Sequence, residues 1–256
     1  MIKITFLGTG TSQGIPVIGS DHPVSFSDDL KDKRLRSSIL IEYKDFNFVI
    51  DCGPDFRQQM LKTNCRKLDA IIFTHEHADH TTGIDDVRPY FFRQGKIPIY
   101  LHERVLNSLH NRFAYIFDPK QKYPGAPDFE VNLITKENDF QIFGLNITPI
   151  ESVHYKLPVL GFRLGKFAYL TDVKTISDKE MLKLNGLDAL VINALRYESH
   201  PSHLNIEEAL EIVNQVKPKQ TFFTHISHNM GFHEEVCSNL PKSVSLAFDG
   251  LVLEVD

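Results

Sequence analysis

Three apolar segments of this chain end in the same way: IIFT runs into His75, AYLT into Asp172, and TFFT into His225. Each reads as a buried strand that gives way to threonine and then to a residue able to ligate metal or move a proton. If these strands are neighbours, their C-terminal ends set His75, Asp172 and His225 along one edge, where α/β folds keep their sites. The pattern recurs through the chain. Apolar, β-branched and aromatic runs predict strands over residues 2–7, 38–43, 46–50, 70–74, 97–101, 140–150, 161–164, 167–171, 189–193, 221–224, 245–248 and 251–255. Hairpin turns are expected in EYKDFNF and RLGKFAY.

Helices are fewer. The clearest spans 205–216, where Ile206, Ala209, Leu210, Val213 and Val216 share one face, Asn205 and Glu208 fit a capping box, and Pro218 follows the end. Others are expected over 55–63, 103–111, 178–184 and 232–240. Residues 118–128, with three prolines and a glycine, read as a surface loop, and 19–36 as a long irregular loop near the site. Strands with interspersed helices imply sheets covered by helices rather than a bare sandwich. No composition shift or repeat divides the 256 residues, so one domain over 1–256 is expected.

Charge and cysteine content narrow the function. A formal net charge of −5 with no basic run argues against a long nucleic-acid partner but leaves room for a small anionic substrate. Cys52, Cys65 and Cys237 are odd in number and widely spaced, which suits a reducing compartment. The start MIKITFLGTG lacks the features of a signal peptide, and no run of 18 apolar residues occurs. A cytoplasmic location and no membrane association are the expectations.

The chemistry concentrates in His75-Glu76-His77-Ala78-Asp79-His80. Alternation at the end of a strand points His75 and His77 the same way. The chain must then turn, which returns Asp79 and His80 toward the same point. The zincin pattern of two histidines four apart fails, because position 79 is aspartate. Imidazoles crowded this closely repel one another when protonated and call for a metal or an acid. His154 offers a further imidazole. His200 and His203 lie just before the capped helix. Gly8, Gly10 and Gly14 miss the dinucleotide-binding spacing, since Gln13 stands at the third glycine position, and they read instead as tight turns beside the site.

HxHxDH at 75–80, with His154, Asp172 and His225 spaced beyond it, resembles the metallo-β-lactamase superfamily. FLGTGTSQGIP, FVIDCGPDFR and HEHADHTTGIDDVRP resemble, within it, the branch of the PhnP-like phosphoribosyl cyclic phosphodiesterases and their relatives the tRNase Z enzymes. The resemblance covers nearly the whole chain. It implies an α/β fold, the αβ/βα four-layer sandwich, with two central mixed sheets flanked by helices. It also implies two divalent ions, Zn or Mn. His75, His77 and His154 would hold one, Asp79, His80 and His225 the other, and Asp172 would bridge them. Asp79 is placed in the catalytic set with His203, which maps to the leaving-group proton donor. His200, Arg57, Arg88 and Tyr90 are candidates to touch substrate.

The implied activity is hydrolysis of small phosphodiesters, including cyclic ribose phosphates, by a hydroxide shared between the ions. The alternatives are a tRNase Z-like endonuclease, against which the missing tRNA-grasping arm counts, and a non-enzymatic PqqB-like carrier, against which the complete ligand set counts. A homodimer is implied by the resemblance alone. One departure stands out. Ser20, His22 and Ser25 occupy positions where PhnP-like proteins carry structural-zinc cysteines, and only His228 matches the distal histidine. No structural zinc and a more mobile 19–36 loop are therefore expected.

Overall fold

The computed structural model describes all 256 residues. Its strands form two mixed sheets. The first has the order β15-β1-β2-β3-β4-β5-β6 and comprises β15 (Val252–Val255), β1 (Ile2–Gly8), β2 (Ser38–Tyr43), β3 (Phe46–Ile50), β4 (Ala70–Ile72), β5 (Ile97–Leu101) and β6 (Phe129–Leu133). The second has the order β11-β8-β9-β10-β12-β13-β14, with β7 (Phe140–Ile142) paired to β8 (Leu145–His154). Its other members are β9 (Leu157–Leu164), β10 (Phe167–Leu170), β11 (Thr175–Ile176), β12 (Ala189–Asn193), β13 (Gln220–Thr224) and β14 (Val244–Leu246).

Strand parity builds the layers. Ile4, Phe6, Ile39, Ile41, Phe48 and Ile50 of the first sheet face Phe162, Phe167, Tyr169, Val191 and Phe222 of the second in one buried cluster. The alternate residues point outward. Leu7, Leu40, Val49 and Ile71 pack under α1 (Phe56–Thr63), α3 (Arg88–Gln94) and α4 (Glu103–Arg112). Ala168, Leu170, Leu190, Ile192 and Phe223 pack under α7 (Ile206–Val216) and α8 (His233–Asn239). Helix, sheet, sheet, helix is the αβ/βα sandwich, and the period-two alternation of side chains accounts for it.

Three expectations change. The strand over 140–150 is two strands around Phe143 and Gly144, whose φ values of 51° and 80° turn the chain into a hairpin. The strand expected at 161–164 begins at Leu157, because β9 pairs along β8 as far as His154↔Leu157. And β4 and β10 are not neighbours: β4 lies in the first sheet, β10 and β13 in the second with β12 between them. Their ends meet across the two sheets rather than along one. Sequence periodicity also missed β6, an edge strand with Val131 and Leu133 exposed, and the short elements β11, α2 (Ala78–Thr81), α3 and α5 (Ala114–Phe117). All of these are fixed by tertiary neighbours rather than by an apolar stripe of their own. The capped helix is present with both bonds of its box, Glu208 N–H to Asn205 and Asn205 N–H to Glu208.

The 19–36 segment is irregular, as expected, but it is fastened. Arg34 and Asp32 are buried. Arg34 Nη1 donates to Thr9 Oγ1 at 2.8 Å and to the Ala247 carbonyl, and Nη2 donates to His233 Nδ1 at 3.1 Å. Asp32 accepts from the His233 N–H at 2.8 Å, and Asp249 accepts from the Leu35 N–H at 2.7 Å. A hydrogen-bonded network ties residues 32–35 of this loop to α8 and to the end of the second sheet.

Candidate metal centre

His75 leaves β4 and is wholly buried. Two glycines let the next turn close over it. A Cβ on Gly53 would meet the Asp79 carbonyl oxygen at 2.0 Å, and one on Gly83 would meet the Gly53 carbonyl oxygen at 2.1 Å. The Cys52 N–H donates to the His80 carbonyl at 2.8 Å, and the Gly83 N–H to the Cys52 carbonyl at 2.9 Å. The segment after β3 is thus a clamp on the motif turn, and α2 begins inside that turn. From the second sheet come His154, the last residue of β8, Asp172 just beyond β10, and His225 just beyond β13. Asp172 and His225 have φ of 58° and 56°, a left-handed conformation that costs a non-glycine residue on the order of 1–3 kcal/mol. Strain collects where the strand ends turn their side chains inward.

The side chains converge. His75, His77 and Asp172 each bring one ligand atom within 4.8 Å of the others, as do Asp79, His80 and His225, and as do His154, Asp172 and His203. Asp172 belongs to two of the three groups. His80 Nε2 lies 3.2 Å from Asp79 Oδ2 and 3.2 Å from Asp172 Oδ2. His225 Nε2 lies 3.6 Å from Asp79 Oδ2 and 3.3 Å from Asp172 Oδ1. Ligands about 2.1 Å from a tetrahedral ion lie roughly 3.4 Å from one another, so these separations suit the edges of a coordination shell.

The outward nitrogens fix which ring atom is free. His80 Nδ1 donates to Asp51 at 2.7 Å, and His154 Nδ1 to the Ser202 carbonyl at 2.7 Å. His75 Nδ1 bonds Thr74 Oγ1 at 2.9 Å, and that hydroxyl donates on to Asp51. Each bond leaves Nε2 as the inward lone pair, the tautomer a metal needs. The buried Nε2 atoms of His75, His80 and His225, and Nδ1 of His203, have no hydrogen-bond partner. Such atoms are costly to bury unless something meets them, and a cation at the focus fits this donor set of imidazole and carboxylate.

The electrostatics mark where positive charge is wanted: burial would lower His80, yet Asp79, Asp172 and Asp51 around it hold it well above the ordinary imidazole value, a charge that an ion at the focus would supply instead. Burial alone would push the Asp79 carboxyl up, yet His80 and His225 beside it hold it well below the usual carboxylate range. Asp172 behaves likewise beside His225 and His80. Burial, then His80, drives His75 down to the neutral ring. His203 is pushed down to about 2 by burial and then by His225.

Asp51 was missed by sequence reasoning, although FVI followed by Asp51 repeats the strand-then-ligand pattern. It is fully buried, stands at φ 67°, and orients His80 directly and His75 through Thr74. Glu76, inside the motif, turns outward: Arg104 Nε donates to it at 2.8 Å, and Arg112 donates to its backbone carbonyl at 2.8 Å. Of the four candidates for substrate contact, His200 lines a cleft of about 200 Å³ beside the cluster, which it shares with the proton-donor candidate His203. The other three do not reach the centre. The Tyr90 hydroxyl donates to the Cys65 carbonyl at 2.7 Å, and Arg88 is paired with Asp85 at 2.5 Å. Arg57 is exposed on α1 and borders neither cavity beside the cluster. Arg57 lies on α1, and Arg88 and Tyr90 on α3, helices that cover the outer face of the first sheet.

A family model described as a beta-lactamase superfamily domain matches residues 46–226. An octanoyltransferase of Porphyromonas gingivalis is 37% identical over 257 residues, covering 100% of this chain and 52% of the relative. The chain therefore spans about half the length of that protein. A ribonuclease Z of Methanococcus maripaludis is 31% identical over 211 residues, covering 72% of this chain and 60% of the relative. Among solved structures, a diphosphatase from the PhnP family superposes with a TM-score of 0.93 at 39% identity, covering 100% of this chain and 98% of that one.

Proposed function

From the premise that this chain belongs to the beta-lactamase superfamily, we propose that it is a hydrolase of small molecules carrying a phosphorus with two organic or phosphoryl substituents, working with two divalent ions, zinc or manganese. The observation that carries this reading is the convergence of buried, unpartnered imidazole nitrogens on Asp79 and Asp172. The likeness to a PhnP-family diphosphatase supports phosphorus as the reacting centre. His75, His77 and His154 would hold one ion, Asp79, His80 and His225 the other, with Asp172 shared. Bound ions would supply Lewis-acid polarisation and water of lowered pKa.

The chain's own groups do the rest. Asp51, Thr74 and the Ser202 carbonyl hold the imidazoles in their ligating tautomer. His203 Nδ1, 3.9 Å from Asp172 Oδ1, is unpartnered and faces the cluster, in place to protonate the leaving oxygen. In the bare site this imidazole is neutral, so the proton must be held there by the negative charge of bound substrate. A buried thiol such as Cys52, pushed well up by burial, is no substitute nucleophile for acyl transfer.

The second reading, RNA cleavage, rests on the ribonuclease Z relatives. One assay separates the two. The protein loaded with Mn²⁺ or Zn²⁺ is offered bis-p-nitrophenyl phosphate, cyclic ribose phosphates, dialkyl diphosphates and precursor tRNA. Turnover of the small substrates is expected, and cleavage of precursor tRNA alone would overturn the proposal. His203→Ala is expected to keep its metal and lose about 10²–10⁴ in rate on poor leaving groups, far less on p-nitrophenyl esters.

A further inference from the structure

Two cavities flank the cluster, and they differ in chemistry. One, of about 680 Å³, is bordered by His77, His154, Tyr155, Lys156, Leu157 and Pro201. The other, of about 200 Å³, is bordered by Ser12, Gln13, Arg196, His203, Ser227 and Asn229, among others. The turn 200–203 separates them, with Ser202 on the first and His203 on the second. The larger cavity holds an aromatic ring, a flexible cation and two apolar side chains. The smaller holds hydroxyls, carboxamides and a guanidinium and no carboxylate. Ser227 Oγ there is buried and unpartnered.

The rim of the larger cavity is unusual in its backbone. Tyr155 and Lys156 are the two residues that join the paired His154↔Leu157 ends of β8 and β9. Tyr155 has φ 59°, at a hairpin position that favours glycine. An aromatic ring held there, 63% exposed, gains nothing from core burial. Lys156 Nζ lies 5.3 Å from its centroid, so the ring accepts a cation on one face, and it borders the same cavity as His77 and His154. Its neighbours His77 and His154 are proposed ligands of one ion, so a group on the reacting phosphorus reaches the ring directly.

We infer that the larger cavity is a nucleobase subsite: Tyr155 stacks the base of a nucleotidyl group that stays on the reacting phosphorus, and the leaving group departs into the smaller polar cavity. The direction follows from His203, which borders only the smaller cavity, so the oxygen it protonates must lie on that side. In this step a water oxygen bonds to phosphorus as that water gives up one proton to the surrounding solvent, the bond from phosphorus to the leaving oxygen breaks, and the leaving oxygen takes the proton of His203. The substrate class is a nucleoside 5′-phosphate esterified to a small polar alcohol or phosphate. This assignment rests on the hydrolase reading above, and stacking on an exposed aromatic is tolerant of the base's identity.

The test compares two esters with one leaving group, thymidine 5′-(p-nitrophenyl phosphate) and methyl p-nitrophenyl phosphate, on the metal-loaded full chain. The expected kcat/KM favours the nucleotidyl ester by about tenfold or more, as one stacked base provides. Tyr155→Gly, which relaxes the left-handed turn while deleting the ring, is expected to bring that ratio toward one, and Tyr155→Phe to restore it. A wild-type ratio near one, or a ratio untouched by Tyr155→Gly, overturns the subsite. Calorimetric binding of AMP and of ribose 5-phosphate is measured on the same proteins. AMP is expected to bind more tightly, by a margin that Tyr155→Gly removes. If neither ester turns over, the hydrolase reading fails while this binding difference still decides the subsite.

Discussion

Two buried polar clusters sit in this molecule, one built on an arginine and one on histidines and aspartates, and they are satisfied in opposite ways. Around Arg34, every charged group has a protein partner: the guanidinium bonds Thr9, the Ala247 carbonyl and His233, while Asp32 and Asp249 accept backbone N–H groups. Around Asp172, the outward nitrogens of His75, His80 and His154 are bonded, but the inward nitrogens of His75 and His80, both ring nitrogens of His225 and Nδ1 of His203 meet no partner. Closed hydrogen-bond accounting marks a staple, and an open focus with fixed tautomers marks a place for a cation.

The comparison breaks most sharply at Asp172, shared by two of the converging groups. Asp172→Asn is expected to lower turnover by about 10³-fold or more and to reduce the metal retained per chain, read by elemental analysis. Retention of two ions would remove Asp172 from the bridging position. Arg34→Met should do the reverse. It leaves the metal content intact but costs about 3–5 kcal/mol in urea unfolding, because the buried Thr9 hydroxyl, Ala247 carbonyl and His233 Nδ1 lose their donor, at about 1–3 kcal/mol for each acceptor left unmet. Loss of metal without loss of stability would show that the two clusters are one system.

Asp51→Asn sharpens the picture, since it removes no ligand. Metal affinity is expected to fall about 10–100-fold in competition with a chelator, the loss typical of an outer partner that orients a ligating histidine. An affinity unchanged from wild type would deny Asp51 that role.

The smallest effect concerns pH. His233 accepts from Arg34 and is held down at about 4 by burial and then by that guanidinium. Its folded pKa lies below its unfolded value near 6.5, so the unfolded chain binds the proton more readily. This contribution is complete above about 6.5 and is lost as pH falls through about 4, on the order of 2 kcal/mol. His233→Gln, which keeps an acceptor but does not titrate, should flatten that slope between pH 6.5 and 4 in thermal unfolding. An unchanged slope would place the acid sensitivity elsewhere.

Much of the candidate site was legible because chemistry and local order coincide in it. HEHADH is one short run, and Asp172 and His225 each follow an apolar strand that periodicity reveals. Asp51 was not read, because a lone aspartate at a strand end, two residues before Gly53, looks like a turn until its burial is known. Arg57, Arg88 and Tyr90 were misplaced because sequence nearness to the motif says nothing about which layer a helix joins.

By itself, the sequence determined the longer strands and helices, the inward and outward faces of those strands, and the residues able to hold metal. These depend on alternation and on side-chain chemistry, which are local. Only the tertiary structure decided that β4 and β10 belong to different sheets, that residues 32–35 are tied to α8 and the second sheet, and which nitrogens are left free. Those outcomes depend on contacts between segments as much as 200 residues apart, such as Asp32 with His233, and no local pattern encodes the partner at the far end.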